Sequence, residues 1–364
     1  MNRLPPPLRP VDRTFVEYRG RRLSYFGGCD YYRLATHPAV LAAARETLDA
    51  HGVGVAASRV TTGNHPLFEE LEDWLARFFR ARRAILVDAG YAANAIAAQG
   101  LAGAVTHALL DERAHNSLVD AARYLDCPAR TFRHRDPSDL RHRLARLPRG
   151  ARPLVLTDGL FGRDGAVAPV REYLQLLPPR GRLLLDEAHA AGVLGPGGRG
   201  TPEFCRVTDE RIIRTGTLSK AFGSFGGFIL ADARLAGRVL ARSAWFAAST
   251  PIPLPIAAAA LAAGRVIMTD TAMRERLRAH AILVKSALTK AGLETVSNPA
   301  PLAAVLPSTP GQVRCLRAAC LRHGVFPSLI RYPGGPAGGY LRLAISSEHT
   351  RAQLAALMAV FGGG

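Results

Sequence analysis

Lysine is nearly missing from this chain. Of 47 basic residues among 364, only Lys220, Lys285 and Lys290 are lysines. Chemistry that needs a side-chain amine is therefore confined to three positions. Cysteine is also scarce: Cys29, Cys127, Cys205, Cys315 and Cys320 are odd in number, scattered, and make no CxxC pair. That argues against a disulfide framework or a structural zinc site and fits a reduced, cytosolic setting. Long apolar runs are absent. The most apolar window, 244–264, holds Pro251, Pro253 and Pro255, which would break a membrane helix early; it reads as core after a loop. The start, Met1-Asn-Arg-Leu-Pro-Pro-Pro, has no apolar signal core. A soluble, cytoplasmic protein is expected.

What is present is ordinary globular material. Hydrophobic residues make up 48% and charged residues 21%, which excludes a disordered or fibrous chain and allows one large or two modest domains. The net charge of +18 comes from arginine. Residues 1–37 read as an arm. Helices are expected from Pro38 to about His51 and over Pro66–Phe79, where Leu67, Leu71, Trp74, Leu75 and Phe78 recur at helical spacing. Then apolar strands at 84–87, 108–110, 154–157, 183–185 and 228–230 alternate with helices at 92–101, 117–124 and 169–177. Such alternation predicts an α/β fold, with a mostly parallel central sheet covered by helices on both faces. A large domain over 38–235 is followed by a smaller α/β domain over 236–364, with a strand at 341–346, a last helix and a frayed Gly-Gly-Gly end.

Several motifs fail on their partners. Gly52-Val-Gly-Val follows a helix rather than a strand, so it is a poor dinucleotide turn. Leu183-Leu-Leu-Asp-Glu-Ala-His189 resembles the acidic strand end of an NTPase, but no lysine stands between Gly and Ser/Thr in a phosphate loop. Asp186, Glu187 and His189 make a weak metal set, and Asp186 could simply cap a helix. The eight arginines of 129–152 have one aromatic among them, Phe132. They read as a solvated helical face rather than a nucleic-acid patch. The stretch Arg214-Thr-Gly-Thr-Leu-Ser-Lys-Ala-Phe-Gly223 says more. It sets a rare lysine among hydroxyls and glycines, which suits an amine meeting a phosphorylated aldehyde cofactor. An ordinary loop lysine is the bland alternative.

Six motifs in order carry a family resemblance. They are Thr62-Gly-Asn-His-Pro-Leu-Phe-Glu-Glu-Leu-Glu72, Gly90-Tyr-Ala-Ala-Asn94, Asp111-Glu-Arg-Ala-His-Asn-Ser117, Thr157-Asp-Gly-Leu-Phe-Gly-Arg-Asp-Gly165, the run from Asp186 to Gly200, and Gly216-Thr-Leu-Ser-Lys-Ala-Phe-Gly223. Over about residues 25–346 the chain resembles the α-oxoamine synthases, a branch of the fold-type I pyridoxal-phosphate enzymes. The resemblance implies that Lys220 carries pyridoxal 5'-phosphate covalently and moves protons at the substrate Cα. Asp186 would pair with the ring nitrogen, His115 would stack on the ring, and His189 would bond its phenolic oxygen. Gly90, Tyr91 and Thr217 would hold the phosphate, with Asp158 also at the cofactor. Thr250, beside Ser249, would reach the phosphate of a neighbouring subunit, which implies a homodimer with shared sites. Arg342 would grip the substrate carboxylate, with Arg331 as a second candidate. The reaction implied joins a small amino acid, L-alanine favoured, to an acyl thioester, pimeloyl favoured, on coenzyme A or an acyl-carrier protein.

Two stretches depart from the family. Gly162 and Arg163 stand where serine and methionine are usual, and Gly28-Cys-Asp-Tyr-Tyr-Arg33 replaces Ser-Asn-Asp-Tyr-Leu-Gly. They leave open an aminotransferase, lyase or racemase, and a non-catalytic relative, although the intact Lys220, Asp186 and His115 argue against the last.

Overall fold

The computed structural model describes residues 7–331 and 338–362. The expected frayed end, at residues 363 and 364, lies outside them. The chain divides into two compact units. The larger comprises His37–Phe161 and Val167–Asp270; the smaller comprises Met1–Thr36, Gly162–Ala166 and Thr271–Gly364.

A seven-stranded sheet organises the larger unit. Its strands are β1 (Arg83–Val87), β2 (His107–Asp111), β3 (Ala129–Phe132), β4 (Pro153–Asp158), β5 (Arg182–Asp186), β6 (Ile212–Thr217) and β7 (Gly227–Ala231). Their order across the sheet is β1-β7-β6-β5-β4-β2-β3. Only β7 runs against its neighbours β1 and β6; the other pairs are parallel. The central strands are buried along their length, Leu154–Leu156 and Leu183–Leu185 completely, as a parallel sheet covered on both faces requires. Burying each such side chain is worth roughly 1.5–3 kcal/mol.

The helix Pro66–Phe79 shows why the elements form where they do. Pro66 opens it, His65 caps it by accepting the Leu67 N–H at 3.2 Å, and Arg80 ends it in a left-handed turn. Its apolar stripe buries Phe68, Leu71, Trp74, Leu75 and Phe78. Trp74 stacks on Phe78 at 4.9 Å. It also lies so close to Gly264 that a Cβ there would meet the ring at 2.5 Å. That contact locks the helix Leu254–Thr269 onto the larger unit.

Three expectations change here. The boundary drawn at 235/236 falls inside the larger unit, because the helix Ala233–Arg242 packs on Gly100 through Leu235 and Val239, and Leu254–Thr269 packs under Trp74. The arm, in turn, groups with the C-terminal residues. The arginine-rich segment is not one helical face: it supplies the edge strand β3 and then the helix Pro137–Ala145, where Arg133 pairs with Asp136 and Arg143 with Asp139.

In the smaller unit, strands Leu302–Val305, Tyr340–Ala344 and Leu329–Ile330 form an antiparallel sheet. The helices Thr271–Lys290, Pro310–Arg322 and Arg351–Ala359 bury Val284, Leu288, Cys320, Leu354 and Leu357 in the same core as that sheet. Among the described residues no single helix is long and apolar enough to cross a membrane.

Candidate active site

The carboxyl ends of β4, β5 and β6 lie in register, Asp158 beside Asp186 and Asp186 beside Thr215. In a parallel α/β sheet this end is where ligands bind. Asp186 is buried, and its two oxygens are held from different sides: Oδ1 accepts the Ala188 N–H at 2.8 Å and Oδ2 accepts from Asn94 Nδ2 at 2.6 Å. Asp158 is buried as well and accepts the His115 backbone N–H at 2.8 Å. Burial pushes the Asp158 carboxyl well above the usual carboxylate range, and the Asp186 charge pushes it further; the His115 N–H and the Lys220 charge oppose this.

His115 caps the short helix Asn116–Ala122. Its Nδ1 accepts the Ser117 N–H at 3.2 Å and lies 2.8 Å from the Ser117 hydroxyl. With Nδ1 accepting, the proton is assigned to Nε2. Burial lowers its pKa, the Asp186 charge raises it and the Lys220 charge lowers it again, so the ring is neutral at pH 7.

Lys220 is half-buried in the loop joining β6 to β7. Backbone bonds from Gly223 N–H to the Lys220 carbonyl (2.9 Å), Ser224 N–H to Leu218 (2.9 Å) and Leu218 N–H to Gly226 (3.0 Å) fix the loop. Its charge acts on both His115 and Asp158, so a half-buried amine and two buried carboxylates share one neighbourhood with an exposed imidazole.

A second feature lies at the start of the helix Gly90–Leu101. No side chain caps it at Ala89, so its first N–H groups are available to an anion. Gly90 touches Thr217: a Cβ there would sit 2.5 Å from Thr217 Cβ. The Thr217 hydroxyl donates to the Gly226 carbonyl and lies 2.8 Å from Ser219 Oγ. Tyr91 is exposed and donates to Asp120 Oδ2 at 2.5 Å.

These groups fit pyridoxal phosphate. The uncapped helix end with Thr217 matches the phosphate, Asp186 a protonated ring nitrogen, and Lys220 the aldehyde. The structure thus brings together Lys220, His115, Asp158, Asp186, Gly90 and Thr217. His189 is buried three residues beyond Asp186, and Thr250 is exposed. Arg342 and Arg331 belong to the smaller unit. There Arg342 donates to the Gly162 carbonyl at 3.4 Å, while Arg331 is exposed. Of the departures, Arg33 is buried with φ 54°, a conformation that a glycine adopts freely, and lies over the Tyr25 ring.

Asn94, Ser117 and Thr215 join the site as well; they lie within the sequence motifs, but the sequence assigns none of them a role. Their signal is weak: a single Asn in a helix of small apolar residues, a Ser after His-Asn, a Thr within a strand.

The aminotransferase class I and II family matches residues 27–361. An 8-amino-7-oxononanoate synthase of Anaeromyxobacter dehalogenans (strain 2CP-1 / ATCC BAA-258) is 37% identical over 97% of this chain and 90% of its own length. A serine palmitoyltransferase structure from S. paucimobilis superposes with a TM-score of 0.91 at 29% identity, covering 97% of this chain and 90% of that one. An 8-amino-7-oxononanoate synthase structure from Francisella tularensis shares the fold at a TM-score of 0.80 and 23% identity, with 93% and 96% covered. The chain therefore belongs to the aminotransferase class I and II family, in the α-oxoamine synthase branch of fold-type I enzymes that use pyridoxal phosphate.

Proposed function

We propose that this enzyme joins L-alanine to a pimeloyl thioester, on coenzyme A or a carrier protein, releasing carbon dioxide and an aminoketone. That is the 8-amino-7-oxononanoate synthase reaction, which would place it in biotin biosynthesis in the cytoplasm. The observation that carries this reading is the near full-length, 37% identity to a relative of that name.

Lys220 would be the residue that holds the cofactor, and its amine would move the proton at the substrate Cα. The cofactor, when bound, supplies an electron sink for that carbon. Asp186 would keep the cofactor's ring nitrogen protonated, His115 would stack on the ring, and His189 would hydrogen-bond its phenolic oxygen. Asp158 orients His115 through its backbone N–H. Gly90, Tyr91 and Thr217 hold the phosphate, and Thr250 serves the partner's phosphate in a homodimer. Arg342, with Arg331 as a second candidate, binds the substrate carboxylate.

Two other readings have support. The likeness to serine palmitoyltransferase favours serine with a longer acyl chain. The family's own description favours an aminotransferase. Product mass separates them. The holoenzyme is given pimeloyl-CoA with alanine, glycine or serine, one at a time. An aminoketone from alanine is expected; one from serine selects the second reading. A keto acid formed without any thioester selects the third.

A further inference from the structure

The helix Gly90–Leu101 is built of small apolar residues, yet Asn94 sits in its middle with no exposed surface. An asparagine there weakens the helix, and burying an amide is costly unless every polar atom is met. Every one is met. Oδ1 accepts from the Thr215 hydroxyl at 2.5 Å, and Nδ2 donates to Asp186 Oδ2 at 2.6 Å and to Ser117 Oγ at 2.9 Å. The orientation follows from the partners, because an amide oxygen turned toward the Asp186 carboxylate would be repelled. Ser117, accepting from Asn94, turns its own proton to His115 Nδ1 at 2.8 Å. One amide thus connects two helices and two strands.

We propose that Asn94 is the positioning residue that ties Asp186 to His115, supplying a donor to the carboxylate and, through the Ser117 hydroxyl, a second hydrogen bond to the imidazole Nδ1 that the Ser117 N–H already meets. The inference rests on the reading of Asp186 as the partner of the cofactor's ring nitrogen. A carboxylate that loses a hydrogen-bond donor holds its charge less well. Without Asn94 the shared proton moves from the ring nitrogen toward Asp186. Thr215 acts one step back by keeping the amide from turning over.

The test uses holoenzyme carrying pyridoxal phosphate labelled with ¹⁵N in its ring, and ¹⁵N-labelled histidine. Asn94→Asp keeps the shape and replaces the donor by an acceptor; Thr215→Val releases the amide. In the unaltered enzyme the ring nitrogen should be protonated and His115 should show one tautomer. In Asn94→Asp the ring-nitrogen signal should move toward the unprotonated position. The His115 Nδ1 signal should shift as Ser117 turns its hydroxyl toward position 94, while the Ser117 N–H keeps the Nε2–H tautomer. Cofactor affinity should fall roughly tenfold or more, as expected for losing a hydrogen bond to a charged group. Thr215→Val should move both signals the same way by less. If both variants fold and leave both signals unchanged, Asn94 only fills space and the inference is wrong. If Asn94→Asp does not fold, Thr215→Val decides by the same signals. An unprotonated ring nitrogen in the unaltered enzyme would instead overturn the reading of Asp186.

Discussion

Lys220 combines three properties rarely found in one lysine. It is one of three amines in the chain, a loop of small residues holds its backbone, and its charge reaches both His115 and Asp158. Lys285, by contrast, is buried against Asn298, donating to its carbonyl at 3.0 Å and to its side-chain oxygen at 2.8 Å. Lys220→Ala should still bind the cofactor through Asp186 and the helix end. Its turnover should fall roughly 10²–10⁴-fold, the range a positioned proton-transfer group supplies; steady-state thiol release measures this. At this scale the chemistry-bearing side chains were legible, because an amine, a carboxylate and an imidazole are conspicuous in ordered motifs. The groups that orient them were not. Asn94, Ser117 and Thr215 are small polar residues with no periodic signature, and only folding brings 94, 117 and 215 together.

The elements place those residues by close packing and buried polar bonds. Gly90 can open its helix against Thr217 only because it has no Cβ. Gly90→Ala should lower cofactor affinity roughly tenfold to a hundredfold, as expected for an overpacked contact worth about 1–3 kcal/mol; fluorescence titration with pyridoxal phosphate checks it. In the smaller unit, His349 caps no charge. Its Nδ1 accepts the Ser346 N–H at 3.0 Å, and its Nε2 donates to the Tyr25 carbonyl at 3.0 Å. Burial lowers its pKa to about 3, with the Tyr25 carbonyl opposing. Below pH ~6.5 the unfolded histidine takes up a proton that the folded one refuses. Its contribution is therefore complete above that pH and is lost as the pH falls toward about 3, at up to ~1.4 kcal/mol per pH unit. His349→Gln should flatten the loss of stability between pH 6.5 and 4, read from denaturant midpoints; an unchanged slope would remove His349 as its source. The strands were legible where both faces are apolar. β3 was not, because an edge strand with three exposed residues carries arginine and threonine in place of a run. β6 was not, because Gly216 interrupts it; the ring of Phe228 on β7 covers that glycine and would collide with any side chain.

At the scale of the whole molecule, the larger unit exposes Val53, Val60, Tyr91 and Phe225. Tyr91 stands at the uncapped helix end and Phe225 in the Lys220 loop. Large apolar side chains left open beside a site are what a second copy would cover. Sedimentation should show a dimer, and Phe225→Glu should shift it toward monomer with loss of turnover; a monomeric, fully active parent would contradict shared sites. The domain boundary was not legible, since the alanine- and leucine-rich helices after 235 look alike whichever core they join, and Gly264 under Trp74 decides it. The proposed chemistry depends on Lys220 as the residue that would carry the cofactor. The measurement is borohydride reduction of the holoenzyme followed by peptide mass analysis. A pyridoxyl group on Lys220 alone is the expected result. Its absence, or its appearance on Lys285 or Lys290, would contradict the assignment of the site.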